Sequence, residues 1–421
     1  MTPIPELLAP AGDWKNLSAA IAAGADAVYF GVRGFNMRAG AKNFSAGELP
    51  KIAAYCHERK VRAYLTLNVV VFERELARLE RLLLAAKAAG VDGVIGSDFA
   101  VLAAAARAGL TVHASTQMSV ANSAAVAFLH GLGVRRFVLA RECSLDDIRR
   151  IKAALRQALG KKAAEVSIEA FAHGAMCVSV SGRCFLSNFE TGKSANRGAC
   201  SQPCRREYRI VETREGQEWT LGQDYILSPK DLCTLPFIEK LIATGVDSLK
   251  IEGRIRGPEY VSTVVGAYRR ALDFYAANRG KRDWLTRFGV LKQELLANVE
   301  QVYNRGFSSG FYAGKPVGRW NGKPQNASSM KKRFVGVVVN FFKKLSVAEI
   351  AVQDAPFALG DELFIEGNTT GFLRQKVTSL QIDAQPVSEA LSGKQVALRV
   401  DQPVRRGDKL YVMRPARTAA K

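Results

Sequence analysis

The sequence is poor in histidine and cysteine and lacks long apolar runs. It contains four histidines and seven cysteines in 421 residues, and it has no H-E-x-x-H motif of a zinc protease. No apolar run reaches the roughly 18 residues that a membrane-spanning helix needs, and the first residues do not resemble a secretory signal. We therefore expect no membrane span and a cytoplasmic protein whose thiols stay reduced.

Acidic residues are scarce relative to basic ones. Sixty Lys and Arg against 39 Asp and Glu give a formal net charge of +21, and the charge is spread along the chain. This excess favours a polyanionic partner, nucleic acid, over a basic surface that is only solvated. The hydrophobic fraction of 48% allows a large core, so disulfides are not needed to stabilise the fold.

Glycine-led apolar runs recur along the first part of the chain. Most follow an alanine-rich helical stretch, as in GADAVYFG (24–31) and GVDSLKI (245–251). Such short runs suit parallel strands that are buried on both faces. Eight strands are predicted, near Leu7–Pro10, Val28–Gly31, Ala63–Leu67, Val94–Gly96, Thr111–Ala114, Phe137–Leu139, Val166–Ala172 and Leu249–Ile251. Eight strand–helix units in about 250 residues predict an α/β protein with a (β/α)8 TIM-like barrel; a doubly wound open sheet is the alternative.

Polar residues cluster where the predicted strands end. The carboxyl ends of barrel strands form one face, on which barrel enzymes carry their sites. We therefore expect a site at this rim, although any single residue could be a helix cap or a packing contact. The rim candidates are Asn68, Ser97, Asp98, Ser115, Gln117, Asn122, Arg141, Glu142, Glu169, His173, Glu252 and Arg254.

The chain divides into a barrel and a second, smaller domain. We expect the barrel over residues 1–280, interrupted after strand seven by a cysteine-rich insertion at about 173–245. Helices are predicted over Pro258–Ala277, at the end of the barrel domain, and over Leu285–Val302, in a helical extension over 281–330 that includes a linker at 322–326. Short strands and turns over 331–421 predict a small antiparallel β-barrel, which is either a structural cap or an RNA-holding module.

Four cysteines lie in the insertion with the spacing C-x6-C-x15-C-x3-C: Cys177, Cys184, Cys200 and Cys204. Structural zinc sites usually pair ligands two to four residues apart at both ends, although His173 could complete a zinc site here. Iron–sulfur ligands can be spaced more unevenly, so a cluster is favoured over zinc and over redox or structural thiols. A radical SAM C-x3-C-x2-C loop is excluded, because its third position holds Glu207. Cys56 and Cys143 are isolated and predicted to be buried.

Several motifs resemble the collagenase-like peptidase family, peptidase family U32. They are E-x-F-x-H-G-A-M-C-x6-C-F-L-S (169–187), R-G-A-C-S-Q-P-C-R, L-S-P-K-D-L and S-L-K-I-E-G-R, with E-L-L-A-P-A-G and G-A-D-A-V-Y-F-G nearer the start. The likeness spans about residues 6–270. Members include prephenate-dependent tRNA uridine hydroxylases, a ribosomal RNA cytidine hydroxylase and hydroxylases of ubiquinone synthesis. The resemblance implies a [4Fe–4S] cluster held by Cys177, Cys184, Cys200 and Cys204, with Cys233 as a reserve ligand.

The residues favour a hydroxylase over a protease. His57 and His130 fall in helical segments, and His113 and Ser115, two apart on one strand, would lie roughly 6.6 Å apart, so direct contact is awkward. The basic charge favours RNA over a quinone as substrate. We expect C5 hydroxylation of a tRNA wobble uridine, with ribosomal RNA cytidine hydroxylation and collagenase-like proteolysis as alternatives.

Prephenate, the expected co-substrate, is a dicarboxylate, which suggests roles for the rim residues. Arginine forks bind carboxylates well, so Arg141, Arg254 and Arg38 are candidate clamps. Glu142, His173, Lys250 and Glu252 are candidate proton handlers, although salt bridges at the rim would give the same pattern. The sequence leaves open which tRNAs bind, the oxygen and electron sources and the oligomeric state.

Overall fold

The computed structural model describes residues 3–206, 208–211, 213–220, 225–314, 320–321 and 326–416. Glu207 and most of the predicted linker at 322–326 lie outside the described residues. The helices are α1 Trp14–Ala22, α2 Leu49–His57, α3 Leu76–Ala88, α4 Phe99–Arg107, α5 Ser123–Gly131, α6 Leu145–Leu159, α7 Leu186–Thr191, α8 Ile238–Ile242, α9 Pro258–Asn278 and α10 Trp284–Glu300. In the described part of the chain, no helix is long and apolar enough to span a membrane.

Eight parallel strands form a closed barrel. The first twelve strands are β1 Glu6–Ala11, β2 Ala27–Gly31, β3 Arg62–Leu67, β4 Gly93–Gly96, β5 Val112–Ala114, β6 Val134–Val138, β7 Ser167–Gly174, β8 Arg209–Val211, β9 Glu218–Thr220, β10 Tyr225–Pro229, β11 Asp231–Cys233 and β12 Ser248–Ile251. Strands β1 to β7 pair in sequence, and β12 pairs with both β1 and β7. The predicted barrel is therefore confirmed, and each of its strands overlaps one of the eight predicted runs.

Local sequence signals set the boundaries of the barrel helices. The Asp13, Asp98 and Asn122 side chains each accept a backbone N–H in the first turn of α1, α4 and α5. Gly24 follows α1 with a φ of +91°, a conformation that other residues adopt only with strain. Asp98 and Asn122, two of the predicted rim residues, are therefore helix caps.

Side chains of the barrel strands alternate between two cores. Leu7 and Ala9 of β1 face the helices, whereas Leu8 packs inside the barrel with Tyr29 and Tyr64. Burial on both faces explains why the strands read as continuous apolar runs.

Charged side chains inside the barrel are paired. Arg136 contacts Glu6 and lies 3.4 Å from Glu169, and Lys250 Nζ lies 2.8 Å from the other oxygen of Glu169. The Ser248 hydroxyl bridges the two carboxylates, at 3.4 Å from Glu6 and 3.3 Å from Glu169. Glu169 has no exposed surface, so this network satisfies charges that would otherwise be costly to bury.

The C-terminal region is an antiparallel sheet with its own core. The strands after β12 are β13 Phe307–Ser308, β14 Trp320–Asn321, β15 Met330–Phe342, β16 Val347–Val352, β17 Phe357–Ala358, β18 Glu362–Gly367, β19 Gly371–Lys376, β20 Leu380–Ile382, β21 Gln385–Pro386, β22 Glu389–Ala390, β23 Gln395–Arg399 and β24 Lys409–Pro415. The order in the C-terminal sheet is β19-β18-β24-β15-β16-β23-β20-β21, and Val335, Ile350 and Leu410 are among its buried residues. Lys332 of this sheet lies 2.9 Å from Glu259 of α9, which joins the two domains.

Removing the Glu169 charge should destabilise the barrel strongly. Glu169→Gln leaves Lys250 and Arg136 short of a buried counter-charge, and we expect the free energy of unfolding in urea to fall by about 3–5 kcal/mol. Glu80→Gln is the control, since Glu80 pairs with Arg107 at 3.4 Å where both side chains are mostly exposed, and should cost less than about 1 kcal/mol. Equal losses in the two variants would contradict the structural role of the network.

Candidate active site

The mouth of the barrel gathers guanidinium groups around one buried carboxylate. Arg38, in the loop after β2, donates from Nη2 and Nε to Oε1 of Glu252, at 3.0 and 3.3 Å. Glu252 follows β12 directly. Arg254, two residues later, is buried and donates from Nη1 to the Thr66 hydroxyl at 2.7 Å. Arg38 and Arg254, two candidate clamps, and Glu252, a candidate proton handler, therefore meet at the predicted rim.

Arg141 lies in the same neighbourhood. Its Nη1 donates to the carbonyl of Ala175 at 2.7 Å, and its guanidinium carbon lies 4.2 Å from the ring centroid of Phe171. Its Nε is buried and has no hydrogen-bond partner among the described residues. Burial lowers the pKa of Arg141, and the charges of Glu252 and Cys177 oppose that shift. Arg141 therefore has donor capacity that a further acceptor could use.

The electrostatics of the mouth favour an anionic ligand. Burial would raise the pKa of Glu252, but the charges of Arg38, Arg256 and Arg141 outweigh it and lower this pKa to about 2. Burial, together with repulsion from Arg38, lowers the pKa of Arg254 to about 10. Four guanidiniums (Arg38, Arg141, Arg254 and the half-buried Arg256) face one ionised carboxylate, so the mouth carries a net positive charge. Shielded charge of this kind favours a counter-charge, which a bound anion supplies.

Lys250 lies below the mouth and is already paired. Its Nζ bonds Glu169 at 2.8 Å and lies 4.5 Å from the ring centroid of Tyr29, whose hydroxyl donates to the Ile251 carbonyl. Burial lowers the pKa of Lys250, although Glu169 opposes the shift. The alternative predicted from sequence, a salt bridge of Lys250 with a carboxylate, is therefore present.

Two of the predicted proton handlers do not join the arginine group. Glu142 is exposed, whereas its neighbour Arg141 turns inward. His173 is buried among the rings of Phe307, Tyr268 and Tyr260, at centroid distances of 5.3, 5.7 and 6.1 Å. Burial lowers the pKa of His173 to about 3, so its imidazole is neutral at physiological pH.

A polar network of amide and hydroxyl groups completes the rim. Asn68 Nδ2 lies 3.2 Å from Gln117 Oε1 and 3.5 Å from the Ser115 hydroxyl, which also contacts Gln117. The backbone N–H of Met37 donates to Asn68 Oδ1 at 3.2 Å and ties the loop after β2 to this network. Asn68, Ser115 and Gln117, expected at the rim, do meet there.

The four clustered cysteines lie near one another in the insertion, beside this mouth. Burial is the main cause that raises the pKa of Cys204, and the charges of Cys177, Cys200 and Cys184 add to this effect. Cys177 and Cys200 are exposed, and all the thiols are free of disulfides. In the ranges that the structure describes, no group of three or more His, Cys, Asp or Glu side chains could hold a single metal ion.

Hydrogen-bond donors surround the sulfur atoms. The backbone N–H of Leu186 donates to Cys184 Sγ at 3.3 Å, and the Ser187 hydroxyl donates to Cys200 Sγ at 3.8 Å. The Ser179 hydroxyl lies 2.9 Å from Cys177 Sγ. Donors of this kind stabilise thiolates and tune iron–sulfur clusters.

The insertion is fixed to the barrel rim by several contacts. Ala39 N donates to the carbonyl of Gly198 at 3.1 Å, beside Arg38. A Cβ on Gly198 would lie 2.3 Å from the Asn36 carbonyl oxygen, so only glycine permits this approach. Arg197 lies 2.5 Å from Glu75, in the short helical turn before α3. These contacts hold the cysteine loop over the carboxyl ends of the strands.

Arg205 anchors the insertion and was not anticipated from sequence. It donates to the Ser228 hydroxyl at 2.6 Å, to the Pro229 carbonyl at 3.2 Å and to the Met176 carbonyl. It therefore fixes the backbone beside Cys177 and Cys204. The sequence signal that could have identified Arg205 is its position directly after Cys204.

Cys177 links the thiol group to the arginine group. Burial acts to lower the pKa of both Arg38 and Arg141, and the charge of Glu252 and, less strongly, that of Cys177 oppose it; the pKa of Arg38 is raised overall, whereas that of Arg141 is lowered. Cys233, the reserve ligand, is instead buried in the wall, 3.9 Å from the Tyr268 hydroxyl, and burial raises its pKa to about 12. Cys56 and Cys143 are buried, as expected.

The histidines do not activate a nucleophile. His57 bonds Asp92, His130 bonds Glu165, and His173 Nδ1 lies 3.5 Å from the Tyr268 hydroxyl. His113 is buried, and its Nδ1 has no partner among the described residues. Within the described ranges, no histidine therefore hydrogen-bonds a serine or cysteine side chain, as a serine or cysteine protease requires.

The family model of peptidase family U32 matches residues 12–322, most of the barrel and its extension. The chain belongs to peptidase family U32.

Similar proteins carry different names. A protein named collagenase from Porphyromonas gingivalis is 41% identical, over 96% of this chain and 97% of its own. The tRNA hydroxylation protein P1 of Bacillus subtilis is 35% identical, over 86% of this chain and 83% of its own. The 23S rRNA 5-hydroxycytidine C2501 synthase of Escherichia coli is 33% identical, over 87% of this chain but 53% of its own.

His173 should make stability depend on pH. Its pKa is about 3 in the folded chain against an ordinary 6.5, so between these values the unfolded chain binds the extra proton. Stability therefore rises with pH in this window, by about 1.4 kcal/mol per pH unit from this group. His173→Gln should remove that contribution in urea unfolding measured between pH 6.5 and pH 5.

Phe307→Leu is the matched control for His173→Gln. It removes a ring from the same pocket but leaves the imidazole, so stability should fall while its pH slope persists. A wild-type slope in the His173→Gln variant would refute the neutral, buried state of His173.

Proposed function

We propose that this protein is an oxygen-independent RNA hydroxylase that acts at C5 of a tRNA wobble uridine. In this proposal, Cys177, Cys184, Cys200 and Cys204 hold a [4Fe–4S] cluster, and prephenate is the co-substrate. The observation that carries the proposal is the group of guanidiniums around Glu252 at the barrel mouth, directly beside the insertion that carries the four cysteines. The names of two relatives, a tRNA hydroxylation protein and a 23S rRNA 5-hydroxycytidine synthase, agree with RNA as substrate.

The chemistry of the donor set supports a cluster. Four thiols converge, and backbone and hydroxyl donors reach three of the sulfur atoms. When bound, a cluster would transfer electrons or polarise a ligand. The chain's own part is to keep the thiols in place, through Arg205 below them and Gly198 at the rim.

The charges of the mouth support prephenate. Arg38, Arg141, Arg254 and Arg256 outnumber the single carboxylate of Glu252, and this net positive charge suits a dicarboxylate such as prephenate. Glu252 holds the Arg38 guanidinium in place and is itself ionised, so it could accept a proton only weakly. Its role in the proposal is therefore to position Arg38.

RNA would deliver the target base into this mouth. A base in a single-stranded loop can be unstacked at low cost, and the target must leave the stack for its C5 to be reached. The net charge of +21 supports RNA binding, since phosphate neutralisation supplies much of its affinity. The amide groups of Asn68 and Gln117 offer hydrogen bonds to a base edge at the rim.

Nucleoside analysis tests the proposed function. Total tRNA from a strain without this gene should lack 5-hydroxyuridine derivatives in mass spectrometry. Wild type and Cys56→Ala should restore them, whereas Cys177→Ala should not. An unchanged tRNA profile with altered ribosomal RNA would instead support the cytidine alternative. Gelatin cleavage that survives Cys177→Ala but not Ser115→Ala would support proteolysis, as the name of the 41% identical relative suggests.

Prephenate binding tests the arginine clamp separately. Arg141→Gln and Arg254→Gln each remove one charged donor, and each should weaken binding about tenfold or more in calorimetry. Arg107→Gln is the control, because Arg107 ends α4, at the side of the barrel opposite the carboxyl ends of the strands, and forms an exposed pair with Glu80. Equal affinity in the wild type and both mouth variants would contradict the assignment.

A further inference from the structure

An exposed aromatic face lies beside the cysteine group. We define it as Arg183, Phe185, Phe189 and Lys193. Phe185 is 63% and Phe189 86% exposed, and their ring centroids lie 6.2 Å apart at an interplanar angle of 54°. Val178, Val180 and Leu186 of the same insertion are also exposed. Exposed apolar side chains clustered in this way mark binding surfaces.

The geometry of α7 turns the rings away from the protein. Phe185 and Phe189 are four residues apart, so they share one side of this short helix. Ser187, between them, is buried and donates to Cys200 Sγ, and Leu186 N donates to Cys184 Sγ. One side of the segment therefore serves the thiols, while the other presents two rings to solvent.

Positively charged side chains that are free to bind a ligand flank the rings. Arg183 and Lys193 are exposed and form no ion pair within the described residues. Arg206, by contrast, is neutralised by Glu190. Aromatic rings flanked by unpaired cations fit single-stranded nucleic acid, in which bases stack on rings and phosphates meet the cations.

We propose that Phe185 and Phe189 form a stacking platform for unpaired bases of an RNA loop, with Arg183 and Lys193 binding the adjoining phosphates. The inference rests on the proposed function for the identity of the polymer, and it adds where the loop docks. Bases held here would flank the nucleotide that enters the barrel mouth, because the segment that carries the rings also contacts Cys184 and Cys200.

Binding of a fluorescein-labelled RNA hairpin with a uridine-containing loop tests the platform. With full-length, anaerobically purified protein, Phe185→Ala and Phe189→Ala should each weaken binding about tenfold in fluorescence anisotropy. Phe189→Trp should restore it, because tryptophan also stacks. Phe128→Ala is the matched control, since Phe128 is 67% exposed on α5, and should bind as the wild type does.

A second readout reports stacking itself. A 2-aminopurine in the loop should be quenched by the wild type and by Phe189→Trp, and less by the alanine variants. Wild-type affinity and quenching in both alanine variants would overturn the platform, and the face would then serve a protein partner. Equal affinity of the wild type for the hairpin and for a blunt duplex would also overturn it.

Failure of the platform can be told from failure of the proposed function. If the ring variants lose hairpin affinity while tRNA from the deletion strain keeps its 5-hydroxyuridine derivatives, the platform stands and the uridine assignment falls. If those derivatives are lost but the ring variants bind the hairpin normally, the function stands and the platform falls.

Discussion

The ion pair between the half-buried Arg38 and the buried Glu252 is the interaction on which the barrel mouth depends. It joins the loop after β2 to the end of β12, and the neighbouring Ala39 N–H holds Gly198 of the cysteine insertion. A buried carboxylate needs a partner, and buried guanidiniums need anions, so the positions of loop, strand and insertion are coupled. Glu252 balances only part of the guanidinium charge around it, and the remaining positive charge favours an anionic ligand.

The arginine group and the cysteine group are two parts of one site. Cys177 is close enough to Arg38 and Arg141 to shift the pKa of both, and Arg205 and Gly198 fix the loop that brings it there. Below them, the Lys250–Glu169 pair and its partners keep the barrel interior neutral. In the proposed function, the barrel mouth binds the dicarboxylate and the target base, and the four thiols bind the cluster.

The sequence predicted the fold better than it predicted the site. All eight barrel strands could be located, because strands buried on both faces are largely apolar and several of them follow a glycine that ends the preceding helix. The direction of side chains just beyond a strand is not fixed by this pattern. Arg141 turns inward and Glu142 outward, and a register shift between Lys250 and Ile251 accompanies the burial of His173 among aromatic rings. The buried pair of Asp231 and Arg305 joins residues 74 apart, which no local signal reveals.

The most direct test of the central claim is the iron and acid-labile sulfide content of anaerobically purified protein. The account predicts a brown protein with about four irons and about four sulfides per chain, and loss of both when any of Cys177, Cys184, Cys200 or Cys204 is replaced by alanine. Colourless protein without iron and sulfide, or protein that binds one zinc ion instead, would contradict it.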